Sequence, residues 1–184
     1  MSDDPTVKRM APKLVNSITR AVNLCESTLA FGKAEEPAPK LTYVVLTDVV
    51  SDIIESERLA VEDFDISFAE DIPENLKVRA DPEQLYRVIA NLVRNARQAI
   101  VASKKSGEIA VVARDEEDAW FITVADTGPG LPPKAREHLF TPFQGGTRQG
   151  GSGLGLAISQ ELVRGHGGSL MLTQSDETGT TFEI

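Results

Sequence analysis

Asn91 and Asn95 lie four residues apart in a stretch that also carries Gln84, Arg87, Arg94 and Gln98. On a helix, residues at that spacing sit one turn from each other and face the same way. An amide carbonyl is a hard, uncharged oxygen donor, suited to Mg²⁺ whose other ligands are phosphate oxygens and water. The arginines carry planar charged forks that meet phosphate directly. No member of the stripe is acidic, although the chain has 28 Asp and Glu against 19 Lys and Arg. A face that was only solvated would be expected to carry Glu, so the stripe predicts an anionic, metal-chelated ligand.

A second chemical stretch runs from Asp126 to Leu156, DTGPGLPPKAREHLFTPFQGGTRQGGSGLGL, and holds eight of the chain's 14 glycines. It follows an apolar run, Trp120 to Ala125, and ends where a new helical pattern begins, Leu154 to Arg164. A glycine loop feeding a helix start presents free N–H groups and the positive end of a helix dipole, which suits phosphate. It is not a P-loop, since no Gly-Lys-Ser/Thr occurs, and Gly151-Ser-Gly153-Leu-Gly155 has the wrong last spacing for a dinucleotide fingerprint. Asp126, delivered by the apolar run to the sheet edge, can accept a hydrogen bond from an exocyclic amine such as that of adenine.

The elements that must position these groups follow from periodicity. Asp81 as N-cap, Pro82 at the first helical position and Gln84 three residues on predict a helix to about Ser103. Leu85, Ile89, Leu92, Val93, Ala96 and Ile100 share its apolar face, opposite the amide stripe. Glu108–Arg114 and Ala119–Asp126 read as a hairpin around Asp115–Asp118. Tyr43–Leu46 is predicted as a strand, Thr47 as the N-cap of a helix bearing Val49, Val50, Ile53 and Ile54, and Phe64, Ile66 and Phe68 as one face of a further strand. Lys77–Ala80 is a short strand after the turn at Pro73-Glu-Asn75.

Upstream, Val7, Met10, Leu14, Ile18, Ala21, Cys25 and Leu29 form a narrow apolar stripe after Pro5. This predicts a helix of roughly 25 residues, about 37 Å long, with a seam that resembles a coiled coil or bundle. Gly32 and Pro37-Ala-Pro39 end it in a short stiff linker. The predicted division is a helical dimerisation or docking segment over 1–36 and a domain over 37–184.

Composition sets outer bounds. A net charge of −9 argues against a nucleic-acid partner. No apolar run approaches the about 20 residues of a membrane span, so direct membrane contact is not expected of this stretch. One cysteine gives neither an internal disulfide nor a zinc set and fits a reducing cytoplasm.

Five motifs, taken together, resemble the ATP-binding domain of sensor histidine kinases in two-component systems. Asn91-Leu-Val-Arg-Asn95-Ala is similar to that family's N-box, and Asp126-Thr-Gly-Pro-Gly130 to its first glycine box. Leu139-Phe-Thr-Pro-Phe143 is similar to the F-box, Gly151–Leu156 to the second glycine box and Gly179-Thr-Thr-Phe182 to the third. Gly165-His-Gly-Gly168 resembles the family's usual helix ending. The order and spacing match over nearly all of 81–184.

The resemblance implies an α+β fold of the Bergerat type: a two-layer α/β sandwich, its mixed sheet covered on one face by helices, preceded here by the long N-terminal helix. It implies ATP and Mg²⁺ as ligands. Asn95 would ligate the metal and Asn91 hold the same metal–phosphate region. Asp126 would read the adenine amine, Gly128 and Gly130 let the base approach the backbone, and Thr180 sit near the adenine through water. Leu131 to Gly150 would form a lid, with Phe140 and Phe143 packing its base. Arg148 would approach the γ-phosphate, and Gly151, Ser152, Gly153, Leu154, Gly155 and Leu156 would cap the phosphates. Where the family often has Lys, this chain has Gln98, which resembles the nitrogen-regulator type and leaves Arg94 and Arg148 as the phosphate-pairing cations.

The resemblance also bears on the reaction. Gyrase-like and chaperone relatives use a Glu near the Asn91 position to activate water; an amide is a poor general base, so Asn91, Asn95 and Arg148 suit phosphoryl transfer better than hydrolysis. Transfer would go to a histidine on a dimerisation helix. His138 and His166, the only histidines, are expected to be structural, so that acceptor is expected outside this chain, which reads as a second hairpin helix plus ATP-binding domain that stops inside its last strand. The implied partners are a second kinase subunit through the N-terminal helix and a response-regulator receiver domain, in a cytoplasmic region of a parent protein that a membrane anchor could tether. Two alternatives share the nucleotide motifs: a serine kinase of the anti-sigma-factor type, and a non-catalytic phosphotransfer or docking protein.

Overall fold

Helix formation around the amide stripe follows the sequence closely. In the computed structural model, which describes residues 37–61, 64–117, 119–143 and 153–184, this helix spans Pro82–Ser103. Asp81 Oδ1 accepts the backbone N–H groups of Glu83 and Gln84, both at 3.1 Å. Pro82 occupies a position whose N–H would have no partner. Lys104, in a left-handed conformation, ends the helix. The helix predicted over the first 36 residues, and with it the segment 1–36, lies outside the described residues, as do Arg148, Gly151 and Ser152.

In chain order the elements are β1 (Thr42–Val45), α1 (Leu46–Leu59), β2 (Ile66–Asp71), β3 (Lys77–Ala80), α2 (Pro82–Ser103), β4 (Gly107–Glu116), β5 (Ala119–Asp126), α3 (Pro133–Glu137), α4 (Gly155–Gly165), β6 (Met171–Asp176) and β7 (Gly179–Glu183). Five strands form a mixed sheet in the order β2-β4-β5-β7-β6, and β1 pairs with β3 in a separate two-stranded ribbon. β2 runs parallel to β4, which needs a crossover; α2 lies within it. The remaining pairs are antiparallel. α1 packs on α2, α2 packs on α4, and α2 lies on β4 and β5.

Period-2 alternation decides which strand residues meet the helices. Ile109, Val111 and Ala113 of β4 are buried, as are Ile122, Val124 and Asp126 of β5 and Thr180 and Phe182 of β7. The apolar members of this set meet Val50, Ile53 and Ile54 of α1 and Leu85, Ile89, Leu92, Val93 and Ile100 of α2 in one core. Each fully buried Ile or Leu contributes about 1.5–3 kcal/mol relative to exposure.

Four local expectations need correction. Thr47 is not the cap of α1. The helix begins at Leu46 with no side-chain cap, its first N–H is taken by the carbonyl of Leu76, and Thr47 Oγ1 is buried without a hydrogen-bond partner. Leu46, fully buried, therefore belongs to the helix and not to the strand before it. Phe64 precedes β2 and remains exposed. Asp126 is not at a sheet edge: β5 is the middle strand, flanked by β4 and β7.

Candidate functional site

Asp126 is the last residue of β5 and continues the buried parity of Ile122 and Val124, so its carboxylate points under the helices. The side chain is 9% exposed, and Oδ1 accepts the N–H of Gly128 at 2.8 Å. Across the strand pair its Cα partner is Thr180, which is also buried. Gly179, just before it, passes so close that an added β-carbon would meet the Asp126 carbonyl oxygen at 1.8 Å. Gly128 in turn lies beneath Ala99 of α2, whose Cβ would stand 3.3 Å from a β-carbon at that position.

At the other end, Asn91 meets the start of α4. A β-carbon on Gly155 would stand 2.4 Å from Asn91 Oδ1, so only glycine allows this approach. Asn91 Nδ2 donates to Ser159 Oγ at 3.0 Å. Ser159 is one turn beyond Gly155 and 2% exposed. Ala99, Asn95 and Asn91 are successive fours along α2, so the Asp126–Gly128 end and the Gly155–Ser159 end are separated by about 12 Å of helix at 1.5 Å per residue. Asn95, half-buried, stands midway. A cavity of about 210 Å³ between α2 and α4 is lined by Arg87, Asn91 and Arg94 on one side and Gly155, Ser159 and Leu162 on the other.

The remaining stripe residues diverge. Arg94 is 55% exposed and its Nε lies 3.7 Å from Glu57 Oε1 of α1, while Arg97, on the same turn, holds Glu57 Oε2 at 2.5 Å. Gln98 is half-buried. Gln84 does not share the ligand-facing surface: it is buried, and its Nε2 donates to the Pro37 carbonyl at 2.9 Å. The reciprocal half of a capping box is replaced by His166, whose Nε2 accepts the Asp81 N–H at 3.0 Å. Asp81 Oδ2 also takes the Lys40 N–H at 2.9 Å. The N–H of Gln84, then that of Lys40, hold the Asp81 carboxyl below its ordinary value of 3.8.

The described part of the predicted lid is anchored at its start. Gly130, at φ +70°, approaches the carbonyl of Asp176, which a β-carbon there would overlap. Leu131 donates its N–H to Ser175 Oγ at 2.7 Å, and Arg136 Nη1 donates to the Ser175 carbonyl at 3.0 Å. The hydroxyl of Thr178, then its N–H, keep the neighbouring Asp176 carboxyl below its usual value. Leu139 is buried and Phe140 packs partly against the core. Phe143, expected to pack beside it, is 56% exposed. Its backbone takes a left-handed φ of 64°, with the N–H held by the Gly153 carbonyl at 3.1 Å. That bond ties the lid's base to the residues before α4. Leu154 is fully buried and Leu156 half-buried against the core.

The structure brings Asn91, Gly155 and Ser159 together at one cavity and groups Asp126, Gly128 and Thr180 near Ala99 of α2, with Asn95 between the two along the helix. The sequence pattern named all of these except Ser159, and did not name Ser175. Ser159 carried a usable signal, a polar residue one turn past a loop glycine. Ser175 carried none, because its partner is 44 residues away.

Comparisons with known proteins agree with this fold. Residues 80–184 match the family described as histidine kinase-, DNA gyrase B-, and HSP90-like ATPase. The sensor-like histidine kinase SenX3 of Mycobacterium tuberculosis is 31% identical over 190 residues, covering 99% of this chain and 45% of SenX3. The chain thus spans about half the length of such relatives. The catalytic domain of histidine kinase ThkA superposes with a TM-score of 0.66 at 26% identity, covering 78% of this chain and 92% of that domain. ThkA in complex with the response regulator protein TrrA gives a TM-score of 0.76 at 24% identity, covering all of this chain and 52% of that one.

Proposed function

Because the chain belongs to the histidine kinase-, DNA gyrase B-, and HSP90-like ATPase family, we propose that it is the ATP-binding catalytic part of a two-component sensor histidine kinase. In this reading it transfers the γ-phosphoryl group of ATP to a histidine on a dimerisation helix. The observation that carries it is the close approach of the Asn91 amide to Gly155 at the start of α4, with the buried Asp126 carboxylate level with a point about two turns further along the same α2 helix.

In this reading Asp126 accepts a proton of the adenine amine, and Gly128, Gly130 and Thr180 shape the base pocket. Asn91 and Asn95 meet the metal–phosphate region, the N–H groups from Gly153 to Leu156 face the phosphates, and Arg94 lies close enough to contribute charge. Arg148, Gly151 and Ser152 would complete the phosphate end. The donor set fits Mg²⁺ only as a shared ion. Among the described residues no cluster of three His, Cys, Asp or Glu exists to hold a metal alone, and two amide oxygens suit a cation already ligated by phosphate and water. Such an ion would neutralise charge on the phosphate oxygens.

What the chain's own residues do is position. No Asp or Glu lines the cavity around Asn91 among the described residues, so no general base stands there to activate water. This favours transfer to an acceptor presented from outside over hydrolysis. Residues 1–36 are proposed as the helical dimerisation segment joined to the domain over 37–184, with a second kinase subunit and a response-regulator receiver domain as partners. A cytoplasmic location follows from those partners. Among the described residues no helix is long and apolar enough to cross a membrane.

The test is a titration with ATP in the presence and absence of Mg²⁺, followed by incubation with a supplied acceptor helix. Metal-dependent binding and an acid-labile phosphoprotein are expected. Acid-stable phosphoserine would indicate a serine kinase instead, and absence of ATP binding would end the proposal.

A further inference from the structure

Asn91 has two chemically opposite ends in nearly the same shape, a carbonyl acceptor and an NH₂ donor. Packing alone does not choose between them, because a half-turn of the amide exchanges the two at little steric cost. Its surroundings in the crevice are uneven. On one side is Gly155, which offers no side chain and faces the amide with Oδ1 nearest. On the other is Ser159 Oγ, which receives Nδ2 at 3.0 Å. A serine inside a helix can direct its own proton to the carbonyl one turn back, which leaves its lone pairs for Asn91. Ser159 is buried, so water does not substitute for that acceptor.

We propose that Ser159 is a positioning residue: by accepting Asn91 Nδ2 it holds the Asn91 carbonyl toward Gly155 and the crevice, and so sets how strongly Mg²⁺ tightens ATP binding. The inference rests on the reading of Asn91 as part of the metal–phosphate site. Without the serine hydroxyl the NH₂ loses its partner and the amide is free to turn. Every turned molecule then presents a donor where a cation needs an acceptor. The loss of one hydrogen bond of ordinary strength corresponds to about three- to tenfold in the equilibrium between the two orientations.

The experiment measures ATP affinity of the full 184-residue chain by calorimetry, with Mg²⁺ and with EDTA, for the wild type, Ser159→Ala, Asn91→Ala and the double variant. The quantity read is the ratio of the two affinities. With no partner to choose the orientation the amide divides about equally between the two, so Ser159→Ala is expected to shrink the Mg²⁺ enhancement by up to about twofold, without lowering the EDTA affinity and with only the small drop in thermal midpoint that one lost hydrogen bond brings. The double variant is expected to be no worse than Asn91→Ala alone, because Ser159 acts through Asn91. In nucleotide-free protein, the two Asn91 NH₂ proton resonances are expected to move together in Ser159→Ala. A wild-type Mg²⁺ enhancement in Ser159→Ala, or losses that add in the double variant, overturns the positioning role while the Asn91 reading stands. A normal enhancement in Asn91→Ala overturns both.

Discussion

His166 Nε2 accepts the backbone N–H of Asp81 at 3.0 Å while its Nδ1 lies 2.8 Å from the Leu162 carbonyl. An accepting Nε2 requires the ring proton on Nδ1, so the same imidazole donates to the end of α4 and accepts from the start of α2. Two helix ends 85 residues apart in sequence are thereby joined. The linker joins there too, through Lys40 N–H to Asp81 and Gln84 to the Pro37 carbonyl.

Replacing His166 with Ala leaves the Asp81 N–H without its acceptor. A loss of about 1–2 kcal/mol in stability is expected, read as a lower urea midpoint at unchanged m-value. ATP affinity should change little, since His166 does not line the crevice. A large loss of affinity at normal stability would contradict the structural role.

The Asp81 carboxyl is held below its ordinary value of 3.8 in the folded chain. The folded state therefore binds this proton less readily than the unfolded state. The stabilising contribution is fully present above the ordinary value and is lost as pH falls through the depressed one. Asp81→Asn keeps a capping oxygen but removes the titration. Its thermal midpoint should fall less steeply than that of the wild type between about pH 5 and the acid limit; parallel profiles would refute the linkage.

Gly155→Ala puts a methyl 2.4 Å from Asn91 Oδ1. Either the amide turns away or α4 retreats from α2, at about 1–3 kcal/mol. Because the damaged contact is the proposed phosphate end, Mg²⁺-dependent ATP affinity should fall at least about tenfold. Calorimetry alongside a thermal melt separates the two effects. Retained affinity would mean that the helix start does not meet the ligand.

Asp126→Asn converts one carboxylate oxygen to a donor. Whichever way the amide lies, it presents NH₂ either to Gly128 N–H or toward the adenine amine. Hydrogen bonds to charged groups contribute about 1.5–3 kcal/mol, so ATP affinity should drop roughly ten- to hundredfold. Loss confined to stability, with normal ATP binding, would remove Asp126 from the base pocket.

Glu57 separates Arg97 from Arg94. Arg97 is mostly covered and makes a close pair with Glu57, whereas Arg94 is more than half exposed at 3.7 Å. Arg97→Ala should cost about 1–3 kcal/mol by stranding a buried carboxylate. Arg94→Ala should cost less than about 1 kcal/mol but weaken ATP binding if its charge reaches the phosphates. Denaturant melts of both variants decide the first contrast.

The domain's helical spine was plain in the chain itself. Asp81, Pro82 and the 3.6-residue period of Leu85, Ile89 and Val93 are local signals, and α2 begins and ends where they direct. The same holds for the inward parity of Ile109, Val111, Ile122 and Val124, because alternation needs no knowledge of the partner strand. The glycines were legible as close approaches, though not what each one approaches: Asn91 for Gly155, Asp176 for Gly130.

Contacts in which distant groups compete for one another were not legible. Thr47 has the composition of a cap, yet α1 starts one residue earlier because Leu46 is drawn into the core and its N–H goes to Leu76. Gln84 continues a polar stripe by angle, but the linker folds over it. Residue type and period determined which groups had to share a face, since those follow from the geometry of a single helix or strand. Only the packed fold decided that β5 lies mid-sheet, that Ser159 takes the Asn91 amide and that His166 closes α4 onto α2. Each of those depends on where a donor finds its acceptor once chain segments tens of residues apart are brought together and water is excluded.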